Sequence, residues 1–257
     1  MYTPLEQFII KPYITNIMGW LPLRTEWIDL TITNSTIYTI LSIIIIYYLF
    51  FLINKYNNTV YGESKWKEII TLLYTKVEDI LKDMFTTNYN KYIPLIFSLF
   101  IFILFNNLIG LIPYSFTAPS HIIFTFSFSL SIIIGVTIIG FQIHKLSFFK
   151  LFVPHGLNQG FIKFLIPLIF SIEIISYLMR ILSLSVRLTA NLLSGHTLLK
   201  ILSTFSFQFI VLFPYLFFLP LILIFAVYLL EIGVAFIQAY VFSLLTATYI
   251  KDIYSSH

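Results

Sequence analysis

Between Lys91 and Lys145 the chain carries no Lys, Arg, Asp or Glu. A run of that length cannot coat the surface of a water-soluble domain, and it is longer than one buried helix or strand requires. It is interrupted once, at Ile112-Pro113-Tyr114-Ser115-Phe116-Thr117-Ala118-Pro119-Ser120, where prolines and hydroxyl residues supply turn chemistry. Two spans result, about 92–112 and 121–143, each close to the roughly 20 residues that cross a hydrocarbon core about 30 Å thick. The rest of the chain is of the same kind. At 59% hydrophobic and 10% charged, it has too little polar surface to cover a core, which makes it an integral membrane protein.

An earlier apolar run, about 32–53, gives a further span, closed by Asn54-Lys55-Tyr56-Asn57-Asn58. Over 64–87 the pattern changes: Trp66, Ile69, Ile70, Leu73, Val77, Ile80, Leu81 and Met84 recur at helical spacing with lysines and acids between them, which predicts an amphipathic helix at the membrane surface. The loops 54–91 and 144–163 hold six and three lysines, whereas the link at 112–120 holds no Lys or Arg. By the positive-inside rule both lysine-bearing loops lie inside and the N-terminus outside. The net charge of +4 therefore reports orientation; nucleic acid is not an expected partner. Residues 1–29 lack the apolar core and small-residue cleavage site of a secretory signal, so the mature chain is expected to begin close to Met1.

The last third does not fit simple crossings. The stretch 161–205 contains only Pro167 near its start and Gly195 late, and as one helix it would be roughly 65 Å long, about twice the hydrocarbon core. It must lie strongly tilted or be broken. A second long stretch, about 220–250, follows Pro214 and Pro220. The predicted fold is an all-α polytopic membrane protein in one domain over 1–257: vertical spans, the amphipathic surface helix, and a long oblique two-helix membrane hairpin. Five passages starting outside place the C-terminus inside.

Within that hairpin the charges are few. Glu173, Arg180, Arg187, Lys200 and Glu231 are the only ones between Lys163 and Lys251. A guanidinium at the bilayer centre costs at least about 3 kcal/mol and cannot deprotonate. Arg187 has no acidic residue within four positions, so its counter-ion must come from elsewhere. Residues seven apart on a helix drift by only about 20°, which puts Glu173, Arg180, Arg187 and Ser194 on one stripe with Asn191 beside it. Glu231, Gln238 and Asp252 form a second stripe. Each residue also has a plainer reading. Arg180 is either a structural charge partner of Glu173 or a path-lining group. His196 is either a hydrogen-bonded packing residue or, beside the close approach that Gly195 permits, a partner of Glu231. Ser183, Ser185, Thr189 and Ser194 are expected to bond back to their own helix. His121, His144, His155 and His257, at loops or span ends, are read as solvated.

Several ordered blocks match one known family. Ile175-Ser176-Tyr177 through Arg180, Leu182-Ser183-Leu184, Arg187-Leu188, Ala190-Asn191 and Gly195-His196 resemble the signature of subunit a of rotary F-type ATP synthases. Two further blocks of that family are resembled by 107–117 and 230–242, and the pairing of Glu231 with His196 is similar to the mitochondrial and organellar version. The resemblance implies a non-catalytic, proton-conducting stator subunit without cofactor or metal. In it Arg187 faces the carboxylates of a rotating c-ring and blocks a direct leak. Glu231, His196, Asn191 and Gln238 line an outer entry path, Glu173 and Asp252 lie toward an inner exit, and Arg180 stays open between its two readings. The implied partners are the c-ring, the peripheral stalk, other membrane-sector subunits and the lipid bilayer, in a synthase that can be dimeric. The implied location is the mitochondrial inner membrane with the C-terminus in the matrix, a bacterial or plastid energy-coupling membrane being the alternative. The face bearing Leu184, Leu188 and Asn191 is expected to meet the ring. A self-contained transporter or channel would instead bind substrate between its own helices, and the absence of an internal repeat speaks against it; a purely structural subunit of a respiratory complex is the third reading. The chain has no cysteine, so thiolate metal sites and disulfides are excluded.

Overall fold

The computed structural model describes residues 8–14, 32–56, 65–85, 89–112, 115–145, 166–212 and 218–254. Six helices organise them: α1 Asn34–Tyr56, α2 Lys65–Met84, α3 Ile93–Gly110, α4 Ile122–His144, α5 Ile166–Leu212 and α6 Phe218–Tyr254. All but α2 contain a segment long and apolar enough to cross a membrane. Strand β1 (Pro12–Ile14) pairs antiparallel with β2 (Ile32–Thr33), an element that the sequence did not announce. It shortens the first predicted span. The β-branched Ile32 and Thr33 are used as strand, and the helix begins at Asn34, whose side chain accepts from the Ser35 N–H at 3.0 Å.

The helix bounds follow local chemistry. Pro94 sits at the start of α3, where its missing N–H costs nothing. The other end of α3 is capped by Ser115, whose hydroxyl donates to the carbonyls of Ile109 (2.7 Å) and Gly110 (2.9 Å). Of the two long helices, α5 has 47 residues and α6 has 37, which at 1.5 Å per residue is about 70 and 55 Å. Helix α5 is unbroken at Gly195 and runs past Phe205 to Leu212, because no breaker occurs before Pro214. Helices of that length fit a core of about 30 Å only if strongly oblique.

Helix α5 packs along α4 and α6, and α3 lies against α6; α1 touches mainly α3. Between lipid-exposed helices apolar burial supplies little drive, and association depends on close van der Waals contact. The sequence provides for it: Ala235, Ala239, Ser243 and Ala247, one turn apart on α6, are all buried, and Leu184, Leu188 and Leu192 of α5 join the same core. Buried Ser129 of α4 donates to Phe126 O and reaches Ile181 O of α5 at 3.4 Å. Helix α2 docks against α3 and α6. Val77 and Leu81 insert beneath α3 and α6, whereas Ile69 stays exposed. There Phe85 stacks on Tyr92, the hydroxyls of Tyr92 and Tyr254 share a hydrogen bond, and His144 Nε2 contacts Ile253 O at 2.8 Å. Two histidines read as solvated are thus packed instead: His144 in this clasp, and His121 stacked on Phe116 with a buried Nε2. His155 and His257 lie outside the described residues.

Candidate functional site

Helices α5 and α6 run antiparallel, and their polar residues meet as rungs along one seam. The outermost rung is at Gly195. A Cβ there would stand 2.5 Å from Glu231 Oε1 and 2.9 Å from its Cδ, so glycine lets the two helices close over this carboxylate without displacing it. Glu231 is 5% exposed, and neither of its oxygens has a hydrogen-bond partner among the described residues. His196 Nε2 is 3.9 Å from Glu231 Oε1 and is likewise unpartnered. That distance is too long for a direct hydrogen bond. A buried carboxyl without a partner is costly enough that it calls for water or a bound proton.

Water has a route. A cavity of about 920 Å³ is lined by Phe8, Lys11, Tyr38, Thr117, His196 and Lys200, among others, between the start of α1, the end of α3, the later turns of α5 and the start of α6. His196 is on its wall and Glu231 lies behind. The next rung inward is a direct bond, Asn191 Nδ2 donating to Gln238 Oε1 at 2.9 Å.

The innermost rung is Arg180 with Asp252, at 3.4 Å, the guanidinium lying 5.3 Å from the Tyr249 ring centre. This resolves the two readings of Arg180 as far as pairing goes: its partner is Asp252 across the seam and not Glu173. Seven residues put Glu173 about 10.5 Å away along the axis, whereas the facing helix brings Asp252 within reach. Glu173 is half-buried two turns farther along α5.

Arg187 stands between the inner and middle rungs but off the seam. It is exposed, and its guanidinium donates to Ser183 Oγ at 3.3 Å; among the described residues no carboxylate comes within ion-pair distance. Ser183 thus serves Arg187, whereas Ser185, Thr189 and Ser194 bond back to α5 carbonyls. Its exposed face is made with Met179, Ser183 and Ala190 and is bordered by Val186. The expectation that Leu184 and Leu188 share it is wrong: they are 2% and 4% exposed and point into the bundle, so only half-buried Asn191 of that trio borders the surface. No three His, Asp or Glu side chains converge in a metal-holding group among the described residues.

Phe8, Tyr249 and the fully buried Asn107 were not singled out as site residues. Asn107, both ends of whose amide lack a hydrogen-bond partner among the described residues, lines a small internal space with Thr125, Leu188 and Phe242. Its position just before Gly110, at the end of an apolar helix, was the available signal.

The family described as ATP synthase A chain matches residues 36–251. ATP synthase subunit a of Acanthamoeba castellanii is 44% identical over 257 residues, covering 100% of this chain and 99% of that protein. The subunit a of Trichophyton rubrum is 44% identical over 259 residues, covering 99% of this chain and 97% of that protein. That of Chondrus crispus is 37% identical over 258 residues, with 99% and 97% covered. With the family match spanning 36–251 and a relative 44% identical over the whole chain, the chain belongs to the ATP synthase A chain family, the non-catalytic, proton-conducting membrane subunits of that machine.

Proposed function

We propose that the α5–α6 seam forms two offset proton half-paths separated by Arg187, and that the exposed Arg187 face borders a rotating ring of carboxylate-bearing helices, the c-ring. One observation supports this most: a guanidinium exposed at mid-helix, without a carboxylate partner among the described residues, between an outer polar rung that adjoins a cavity and an inner ion pair. Such a charge is tolerable in lipid only if a partner supplies the anion. At about 4 Å and an effective dielectric near 20, the attraction is about 4 kcal/mol, enough to favour the charged form of a ring carboxylate while it passes.

In this reading a proton enters through the outer cavity, reaches Glu231 by way of His196, and is delivered past Asn191 and Gln238 to a ring carboxylate. Once neutral, that carboxyl can face lipid. After nearly a full turn it loses its proton toward Glu173 and Asp252, with Arg180 holding Asp252 in place. Deprotonated, it passes Arg187, which repels any cation attempting the short way round. The assembly would include the peripheral stalk and other membrane-sector subunits, and a dimeric synthase is compatible with it. The location that fits the resemblance is the mitochondrial inner membrane with the α6 end in the matrix.

The test is Arg187→Gln in the assembled synthase. ATP-driven acidification of vesicles is expected to vanish, at normal amounts of assembled subunit. Coupled pumping at a substantial fraction of the unsubstituted rate would end this assignment.

A further inference from the structure

Residues 8–14 precede the first membrane helix, yet they are held tightly at the outer end. Asn34, the first residue of α1 and 7% exposed, grips them on both edges. Its Oδ1 accepts from the Lys11 N–H at 3.2 Å, its Nδ2 donates to Ile9 O at 3.1 Å, and its own N–H donates to Lys11 O at 3.2 Å. Strand pairing adds Pro12 opposite Thr33. The consequence of this grip is the placement of Phe8, which is 9% exposed and meets the His196 ring edge-on, with centroids 6.2 Å apart and planes at 70°.

His196 needs such a neighbour. Its ring stands on a cavity of about 920 Å³, and a side chain with open space beside it can rotate into that space. Nε2 must stay toward Glu231, 3.9 Å away, if the two are to exchange a proton through one small movement or one water. Phe8 also lines the cavity and occupies ground into which the imidazole would swing. An aromatic edge against the ring is a stable packing geometry, and it offers no competing hydrogen bond to Nε2.

We propose that Phe8, held by the Asn34 clasp, is a positioning residue for His196, keeping its imidazole aimed at Glu231 across the floor of the outer cavity. This rests on the reading of His196 as a member of the proton path. The segment is a fixed wall and does not open during turnover.

The experiment measures proton transport per assembled complex in the whole synthase. His196→Asn alone should slow transport; if it does not, the reading of His196 fails, whatever Phe8 does. Given that it does, Phe8→Ala should cost about tenfold, in line with the loss expected for a misplaced relay group. Phe8→Val should cost less, and Phe8→Tyr, which keeps the aromatic edge, should recover most of the rate. In the His196→Asn background Phe8→Ala should add nothing, since a residue that acts only through the imidazole has no effect once it is gone. Should Phe8→Ala reduce assembly, the same cycle with Phe8→Val decides. An unchanged rate in both variants, or an equal loss with and without His196, overturns the proposal. A second measurement tests the fixed wall. The chain has no cysteine, and Pro12 and Thr33 are cross-strand partners, close enough for a disulfide. Oxidised Pro12→Cys/Thr33→Cys complex should transport as fast as the reduced form; a fall on oxidation that reduction reverses would show a moving lid and refute static positioning.

Discussion

Gly195→Ala is the sharpest perturbation that the seam offers, because it adds one methyl at the point where α5 and α6 close over Glu231. The added Cβ would lie 2.5 Å from Glu231 Oε1, 2.9 Å from Cδ and 3.3 Å from Cγ, where ordinary contact starts at 3.4 Å. The carboxyl must therefore retreat by about 0.9 Å, the difference between 3.4 and 2.5 Å. It can do so by a torsion of its own side chain, at about 0.5–1.5 kcal/mol for an off-rotamer angle. Alanine in place of a mid-helix glycine returns about 1 kcal/mol of helix propensity. The two nearly cancel, so the subunit should insert and assemble normally. Proton transfer is less forgiving, and a displacement near 1 Å of a relay group costs up to about 100-fold. The expected result is normal assembly with proton-driven ATP synthesis slowed by about 10- to 100-fold. Gly135→Ala on α4, where an added Cβ meets nothing within 4 Å, should leave both unchanged. The assay is ATP synthesis by reconstituted vesicles under an imposed proton gradient, normalised to assembled complex. Transport by Gly195→Ala at the unsubstituted rate would show either that Glu231 is not in the path or that the seam is looser than these distances, and the proton-path argument would lose its outer rung.

Arg180→Gln and Asp252→Asn remove opposite ends of a partly exposed ion pair, which is worth about 0–1 kcal/mol to stability. Either change should leave the amount of assembled complex unaltered while slowing transport, and the double variant should be no slower than the worse single one, as read from a double-mutant cycle; additive losses would mean that the two act separately. For the ring-facing surface, a cysteine at Val186, 44% exposed beside Arg187, should crosslink to the carboxylate-bearing helix of the ring. One at Leu188, 4% exposed, should not; the reverse pattern would place the ring on the other face of α5.

Much of the helical layout was legible because lipid imposes run length, and because breakers are scarce in this chain. The uncharged stretch between Lys91 and Lys145 divides where its prolines and hydroxyl residues fall, and α5 continues until the approach to Pro214. Charged residues of the seam were equally visible, since any ionisable group in an apolar helix demands a reason. Phe8 gave no such signal. It is one of 28 phenylalanines, and a contact made 188 positions away, at His196, through a clasp by Asn34 leaves no periodicity to read.

Orientation around each helix was the weaker inference, and the reason is physical. In water, burial sorts apolar from polar residues and the period of the pattern reports the face. In lipid, an apolar side chain is equally content against hydrocarbon or against another helix. Leu184 and Val186 therefore look alike in sequence, although one is 2% and the other 44% exposed. Polar residues alone retain facial information, and even these report it loosely. Glu231 and Gln238, seven apart, are both buried on the seam, as a drift of about 20° per seven residues allows. Over the three such steps from Glu173 to Ser194 the drift reaches about 60°, and long side chains add reach of their own. Arg180 is thereby drawn across to Asp252 while Arg187, one step on, stays outside. The separation of these two arginines, one satisfied within the chain and the other left for a partner, is what the proposed mechanism requires of them.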